Sequence, residues 1–166
     1  MNSENKINEY RNEINLIYHA NKNSICDIFG NKFVDNNRDN IKIIINGKTN
    51  KLVNKYELKK GDNIIQLSIT NKLTNLSYMF FHCNNLKDIK ELKYLNVNEI
   101  KHFGFMFSYC SSLSDIKSLQ NWNGSNGNNF SYMFKGCSSL SDIKPLQNWN
   151  VSHGNYFGNM LQGCSF

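Results

Sequence analysis

The sequence predicts an α/β chain, a solenoid of 27-residue coils (short strand plus short helix) behind a β-rich N-terminal cap, on three observations. Cys83, Cys110, Cys137 and Cys164 recur every 27 residues without an insertion. Within that period a stripe of helical spacing alternates with a short segment of strand spacing. The stretch 1–70 lacks the register and carries hairpin signals instead.

The register reaches well beyond cysteine. Met79, Met106, Met133 and Met160 keep it, as do Leu76, Phe103, Phe130 and Phe157, and Phe80, Phe107, Phe134 and Leu161. Downstream come Leu86, Leu113 and Leu140, then Ile89, Ile116 and Ile143, then Leu92, Leu119 and Leu146, with Trp122 and Trp149 in the column of Leu95. These columns are the expected core of the repeats. Phe103, Met106, Phe107 and Cys110 stand at i, i+3, i+4 and i+7, the apolar face of a two-turn helix. Asp115 and Lys117 flank Ile116 with the alternation of a very short strand. Neither element is stable alone in water. Stacking neighbouring units supplies the missing burial, at ~1.5 to 3 kcal/mol for each large apolar side chain.

Strands spaced at ~4.8 Å and helices at ~8 to 10 Å would curve such a stack and leave the strand side concave. That side would carry Asp88, Asp115 and Asp142 beside Lys90, Lys117 and Lys144, the candidate interaction face. A solubilising charge ladder and a partner-reading surface are both open for it.

In the stretch 1–70, residues 41–45 run into Asn46-Gly47, the strongest short hairpin signal, with 51–58 as the expected partner strand. A Gly61-Asp62 turn leads into a strand at 64–69. Strands are also expected at 14–18 and 25–29, with a loop over 36–40. The boundary between cap and repeats falls at 70/71. At the other end the sequence stops at Phe166, midway through a unit, so either it is a piece of a longer repeat protein or the exposed final coil pairs with another copy.

The segments Asn129 to Leu140 (N-F-S-Y-M-F-K-G-C-S-S-L), Leu140 to Asn150 (L-S-D-I-K-P-L-Q-N-W-N) and Trp149 to Ser152 (W-N-V-S) resemble the repeats of BspA-like leucine-rich-repeat surface proteins. The resemblance covers 71–166. It implies a leucine-rich-repeat-like right-handed solenoid serving protein or host-surface recognition, of the adhesion type, and a cell-surface location, while unpaired thiols and an N-terminus without a signal fit an intracellular one and leave the compartment open. One departure is that Ile100 gives way to Gly127 and Gly154 in later units, which predicts a tighter and less filled corner.

The formal charge of +6 is spread evenly, with 11 Lys+Arg against 8 Asp+Glu before residue 71 and 8 against 5 after it. A nucleic-acid binder concentrates its charge on one face, so no specific nucleic acid is expected. Thirty asparagines reflect genome composition more than function. No run is long and apolar enough for a transmembrane segment, and residues 1–20 lack the apolar stretch of a secretory signal.

One thiol per coil supplies no close metal-ligand pair, and helix spacing would keep adjacent thiols ~8 to 10 Å apart, beyond disulfide reach. Buried thiols acting as small apolar fillers are expected, with His82-Cys83 too isolated to hold a metal. Ser111, Ser112, Ser138 and Ser139 recur as turn residues, and no phosphate-cradling glycine loop is present. The expectation is therefore a non-enzymatic interaction module without cofactor or metal. Self-association through the C-terminal coil is the alternative, and a basic nucleic-acid or anionic-membrane binder a weaker one.

Overall fold

The computed structural model describes residues 10–165. The start of the expected cap, residues 1–9, and Phe166, on which the expectation of an open final coil rests, lie outside the described residues.

Strand β1 (Glu13–Ala20) buries Ile14, Leu16, Tyr18 and Ala20 on one face, the alternation of a half-buried strand. It pairs antiparallel with β6 (Gly61–Ile69) from Glu13↔Ser68 to Ala20↔Gly61. On the far side of β6 lies β3 (Ile41–Ile45), which buries Ile41, Ile43 and Ile45. Asn46 and Gly47, at φ 51° and 73°, make the turn into β4 (Lys48–Lys51) that Asn-Gly favours. The partner expected over 51–58 is divided. β4 takes the hairpin, while β5 (Lys55–Leu58) crosses to pair with β2 (Ser24–Asp27) in a separate two-stranded sheet. The main sheet runs β4-β3-β6-β1-β7, where β7 is Leu86–Asp88, so the first repeat unit is joined to the cap by backbone pairing. Its outer edge, β4, is fully exposed and bears Lys48 and Lys51, charges that discourage edge-to-edge pairing.

A helix, α1 (Asn31–Asn37), takes part of the expected loop at 36–40. Asn37 stays buried because its amide donates to the Phe33 carbonyl at 3.1 Å. Phe33 packs on Phe29 and Phe29 on Phe80, each at 5.9 Å between ring centroids, which ties α1 to the first unit. Gly30 permits this approach. A Cβ there would lie 2.2 Å from the Tyr78 carbonyl oxygen, and the Gly30 N–H donates to Met79 at 3.1 Å.

The α/β assignment and the leucine-rich-repeat-like solenoid of strand-plus-helix coils are overturned. The chain is mostly β with antiparallel open sheets, and among the described residues its one α-helix is α1, outside the repeats. Among the described residues only the first unit forms a strand, β7, and that strand is antiparallel to β1 and not stacked on its counterparts. The later units hold short 3-10 turns at Lys117–Leu119 and Lys144–Leu146.

The physical reason lies in the F-x-x-M-F-x-x-C segment. Tyr78, Phe105 and Tyr132 have φ of 63°, 60° and 59°, and His82 and Tyr109 have 62°, values that end a right-handed helix. The N–H groups divide accordingly. Met79, Phe81 and Cys83 donate to Leu76, Tyr78 and Phe80 three residues back, closing successive turns. Leu76, Tyr78, Phe80 and His82 donate instead to His102, Gly104, Met106 and Ser108 in the next unit, at 2.7 to 3.1 Å. The following unit repeats the pattern, with Phe103, Phe105, Phe107 and Tyr109 donating to Asn129, Ser131, Met133 and Lys135. A helix would have turned every donor beyond its first turn on itself. With no helix spacing to set against a strand spacing, the inferred concave curvature loses its source.

Successive units lie as layers. Phe80, Phe107 and Phe134 stack at 5.3 Å, and Phe103, Phe130 and Phe157 at 5.1 and 5.2 Å. Met79, Cys83, Leu86, Ile89, Met106, Cys110, Leu113, Ile116, Trp122, Met133, Cys137 and Leu140 are buried between them, with Ile143 and Trp149 partly buried. The corner at Gly127 is filled, not slack. A Cβ there would meet the Phe130 ring at 2.4 Å and the Phe103 ring at 3.0 Å. Gly127→Ala should therefore destabilise the protein by about 1 to 3 kcal/mol through overpacking, read as a lowered urea midpoint at unchanged m-value.

Candidate interaction surface

Two columns of donors lock each layer to the one before. The thiols of Cys110, Cys137 and Cys164 donate to the carbonyls of Phe80, Phe107 and Phe134 at 3.0, 3.1 and 3.2 Å. The indole N–H groups of Trp122 and Trp149 donate to Leu92 and Leu119 at 2.9 and 2.8 Å. These cysteines are free, and the helix-based spacing that was expected to separate them does not apply. Burial pushes the thiols of Cys83 and Cys110 well above their ordinary value and that of Cys137 to about 12. Buried Cys83, Cys110 and Cys137 are packing groups, and burial favours the protonated thiol over the nucleophilic thiolate. Among the described residues no cluster of three or more His, Cys, Asp or Glu could hold a metal ion. No helix described is long and apolar enough to cross a membrane.

The charged ladder read from the sequence is partly assigned to local structure. Asp88, Asp115 and Asp142 each accept the backbone N–H two residues on, from Lys90, Lys117 and Lys144, at 2.7, 2.8 and 2.9 Å. Each carboxylate thus closes the turn that begins a 3-10 segment. Asp88 also pairs with the Lys90 ammonium at 2.8 Å, and Asp88 followed by Asp115 raises the Lys90 pKa. Asp88, Lys90, Asp115 and Lys117 line one shallow cavity of about 250 Å³. Asp142 and Lys144 stand exposed one layer further on.

A second polar cluster joins the sheet to the first unit. Asp62 accepts from His19 Nδ1 at 2.6 Å and Lys87 Nζ at 3.0 Å, contacts that lower its pKa. Ser112 lines the cavity beside His19 without a hydrogen bond to it, so the nucleophile-to-base contact of an acyl-transfer site is not formed.

The residues the sequence reading missed are aromatic. Tyr78, Phe105 and Tyr132 stack in parallel at 4.7 and 4.6 Å. Beside them His82 stacks on Tyr109 at 4.5 Å, and Phe81 stands edge-on among Tyr78, His82, Phe105 and Tyr109 at 4.4 to 6.2 Å. Except for exposed His82, all of these rings are half-buried. Lys32 of α1 lies 4.5 Å from the centre of the Tyr78 ring at one end. Lys135 lies 5.2 Å from that of Tyr132 and 5.9 Å from that of Tyr109 at the other. Of the acidic residues after position 70, namely Asp88, Glu91, Glu99, Asp115 and Asp142, none falls in the turn segments 75–84, 102–111, 129–138 or 156–165.

The ribbon is held at a cost. A left-handed backbone at a residue with a side chain costs about 1 to 2 kcal/mol, and bulky residues seldom adopt it. Elsewhere in the same columns the sequence uses residues that relax it, Gly136 at φ 71°, Gly163 at 80° and Asn159 at 54°. A glycine replacing a ring in a repeat column was the available signal of the left-handed position. The same glycine also accommodates the ribbon, since a Cβ on Gly136 would meet the Tyr109 ring at 2.6 Å.

Antiparallel open sheets carrying layered turns, with a stacked aromatic ribbon along them, define a mostly-β protein with one short α-helix among the described residues. The chain belongs to the family described as Mycoplasma protein of unknown function, DUF285, whose model matches residues 49–166. No curated protein and no solved structure matches it.

Two measurements check the buried polar groups. Ser108 is fully buried beside the ribbon with its hydroxyl unpartnered, so Ser108→Ala should leave the melting temperature unchanged or raise it. The thiols hold their protons more tightly in the folded state. Their contribution is complete below the unfolded thiol pKa and is lost as pH rises from there toward about 12. Denaturant midpoints should fall progressively above about pH 9, and Cys137→Ser should flatten that fall.

Proposed function

We propose that the chain is a non-enzymatic recognition module for a protein or cell-surface ligand, of the adhesion type implied by the resemblance of its repeats. Its contact surface is the aromatic ribbon of Tyr78, Phe81, His82, Phe105, Tyr109 and Tyr132. One observation carries this reading. Three rings in one column and two in the next are kept in left-handed conformations, at positions where glycine or asparagine serves the fold in other layers. Strain retained where a relaxed residue is available points to a use for the ring itself, and half-exposed tyrosines are the chemistry of interface centres, with the flanking lysines suited to a polar rim.

The test separates packing from recognition. Replacing Tyr78, Phe105 and Tyr132 together by glycine removes ring stacks worth about 0.5 to 1.5 kcal/mol each and the area the half-buried rings cover, against relieved left-handed strain of about 1 to 2 kcal/mol per site. The variant should be less stable, with circular dichroism at a temperature below its melting point establishing that it is folded, and capture of ligands on peptide and glycan arrays should be lost. Lys117→Glu with Lys144→Glu, which spares the turn-closing aspartates, should leave capture intact. Loss only in the lysine variant would move the surface to the charged ladder.

A second reading, self-association, is supported by the outermost described layer, where Tyr156 is 60% and Phe157 40% exposed. Sedimentation equilibrium over a wide concentration range should then show dimer formation weakened by Phe157→Ser. A strict monomer throughout would remove this reading.

A further inference from the structure

We propose that the ribbon binds a proline-rich segment in the polyproline II conformation, flanked by acidic residues; this rests on the recognition reading above. Periodicity, the backbone and charge each contribute to the argument.

The ring steps of 4.7 and 4.6 Å place Tyr132 two steps from Tyr78. A polyproline II helix advances ~3.1 Å per residue with three residues per turn, so one turn rises ~9.3 Å. Laid along the column, such a segment returns the same face to every second layer, and prolines three residues apart meet Tyr78 and Tyr132 in turn. Both tyrosines carry a hydroxyl, that of Tyr78 accepting from Lys32 Nζ at 3.4 Å, and polyproline II leaves its carbonyls free of internal hydrogen bonds, so each hydroxyl can donate to the ligand backbone while the ring edge takes the proline.

The backbone under the ribbon excludes the main alternative for a peptide. The N–H groups of Leu76, Tyr78, Phe80 and His82 already donate to the next layer, and those of Phe103, Phe105, Phe107 and Tyr109 to the one after. No row of free donors is left there for an added strand. Recognition has to run through side chains, the condition under which a preformed polyproline II ligand is favoured, because it loses little entropy and needs no ladder. The ring faces are spent in the same way. Phe105 is sandwiched between Tyr78 and Tyr132, at interplanar angles of 5° and 12°, which leaves edges more than faces for a partner. Bases of single-stranded nucleic acid and sugar rings both look for an open aromatic face.

Charge sets the flanks. The four turn segments contain no carboxylate, and Lys32 and Lys135 stand at opposite ends of the ribbon, each over a tyrosine ring. The acid on α1, Asp35, is paired with Arg38 at 2.6 Å. A proline-rich core with Asp or Glu on either side complements this arrangement, and a basic flank does not.

The experiment is a fluorescence-anisotropy titration of the full chain with labelled peptides carrying a Pro-x-x-Pro-x-x-Pro core. One peptide has acidic flanks, a second has alanine for every proline, and a third has lysine flanks. The acidic proline peptide should bind saturably, with the alanine and lysine versions each weaker by at least about tenfold, the effect of losing one strong interface contact. Tyr132→Gly should weaken it about as much, and Lys135→Ala should reduce the preference for acidic over lysine flanks. Circular dichroism and melting temperature would establish that both variants are folded. Equal affinity for the proline and alanine peptides would overturn the proposal. So would ribbon-dependent binding of an acidic glycan or an oligonucleotide in place of the peptides, an outcome that leaves the recognition reading standing. Binding of none of these probes would overturn the proposal, while the recognition reading would stand or fall on the array capture described for it.

Discussion

The structure depends on how the backbone N–H groups of the aromatic turns are shared. In each complete layer alternate donors close local turns and the others reach the next layer. Turn closure shapes each layer and the outward bonds join the layers, so neither set can be lost without the other becoming ineffective. Apolar columns then fill the space the bonds define. Burying them supplies most of the favourable free energy, but it does not choose between a helix and this arrangement, since both bury the same side chains. The left-handed residues make that choice.

Much of the core was legible because periodicity reports burial whatever the backbone does. Met79, Cys110, Leu113 and Ile116 are inside, where their columns placed them. The hairpin at Asn46-Gly47 and the strands β1, β3 and β6 were also legible, since turn chemistry and period-two alternation act locally. The helical reading of Phe103, Met106, Phe107 and Cys110 failed for a definite reason. Spacing of i, i+3, i+4 and i+7 fits consecutive tight turns as well as it fits an α-helix, and nothing in those four residues reveals the sign of φ at Phe105. The division of 51–58 between two sheets was hidden as well, because strand pairing between Ser24–Asp27 and Lys55–Leu58 is set by tertiary contacts that no local pattern encodes.

The candidate surface was the least legible part. Asp115 and Lys117 attract notice in a sequence because charge alternates around Ile116, yet the structure gives the carboxylate a backbone donor to accept from. Tyr78, Phe105 and Tyr132 pass as members of an aromatic-rich repeat. Their common orientation comes from φ, and φ becomes visible only where Gly136 or Asn159 takes over a column. Burial and strain have opposite signatures here. A core residue is identified by what its neighbours in the column are, and a surface residue of this kind by what its neighbours in the column have been allowed to become.

The columns that accept glycine, asparagine or an aromatic ring at one backbone setting have a consequence for how such a protein can diversify. The ring is an addition to the layer and not a condition of it, as Gly136 and Gly163 show beside Tyr109. A single substitution can therefore add or delete one contact from the outer row without disturbing the layers beneath. The length and composition of the row become variables separate from the number of layers, and selection can alter one while holding the other constant.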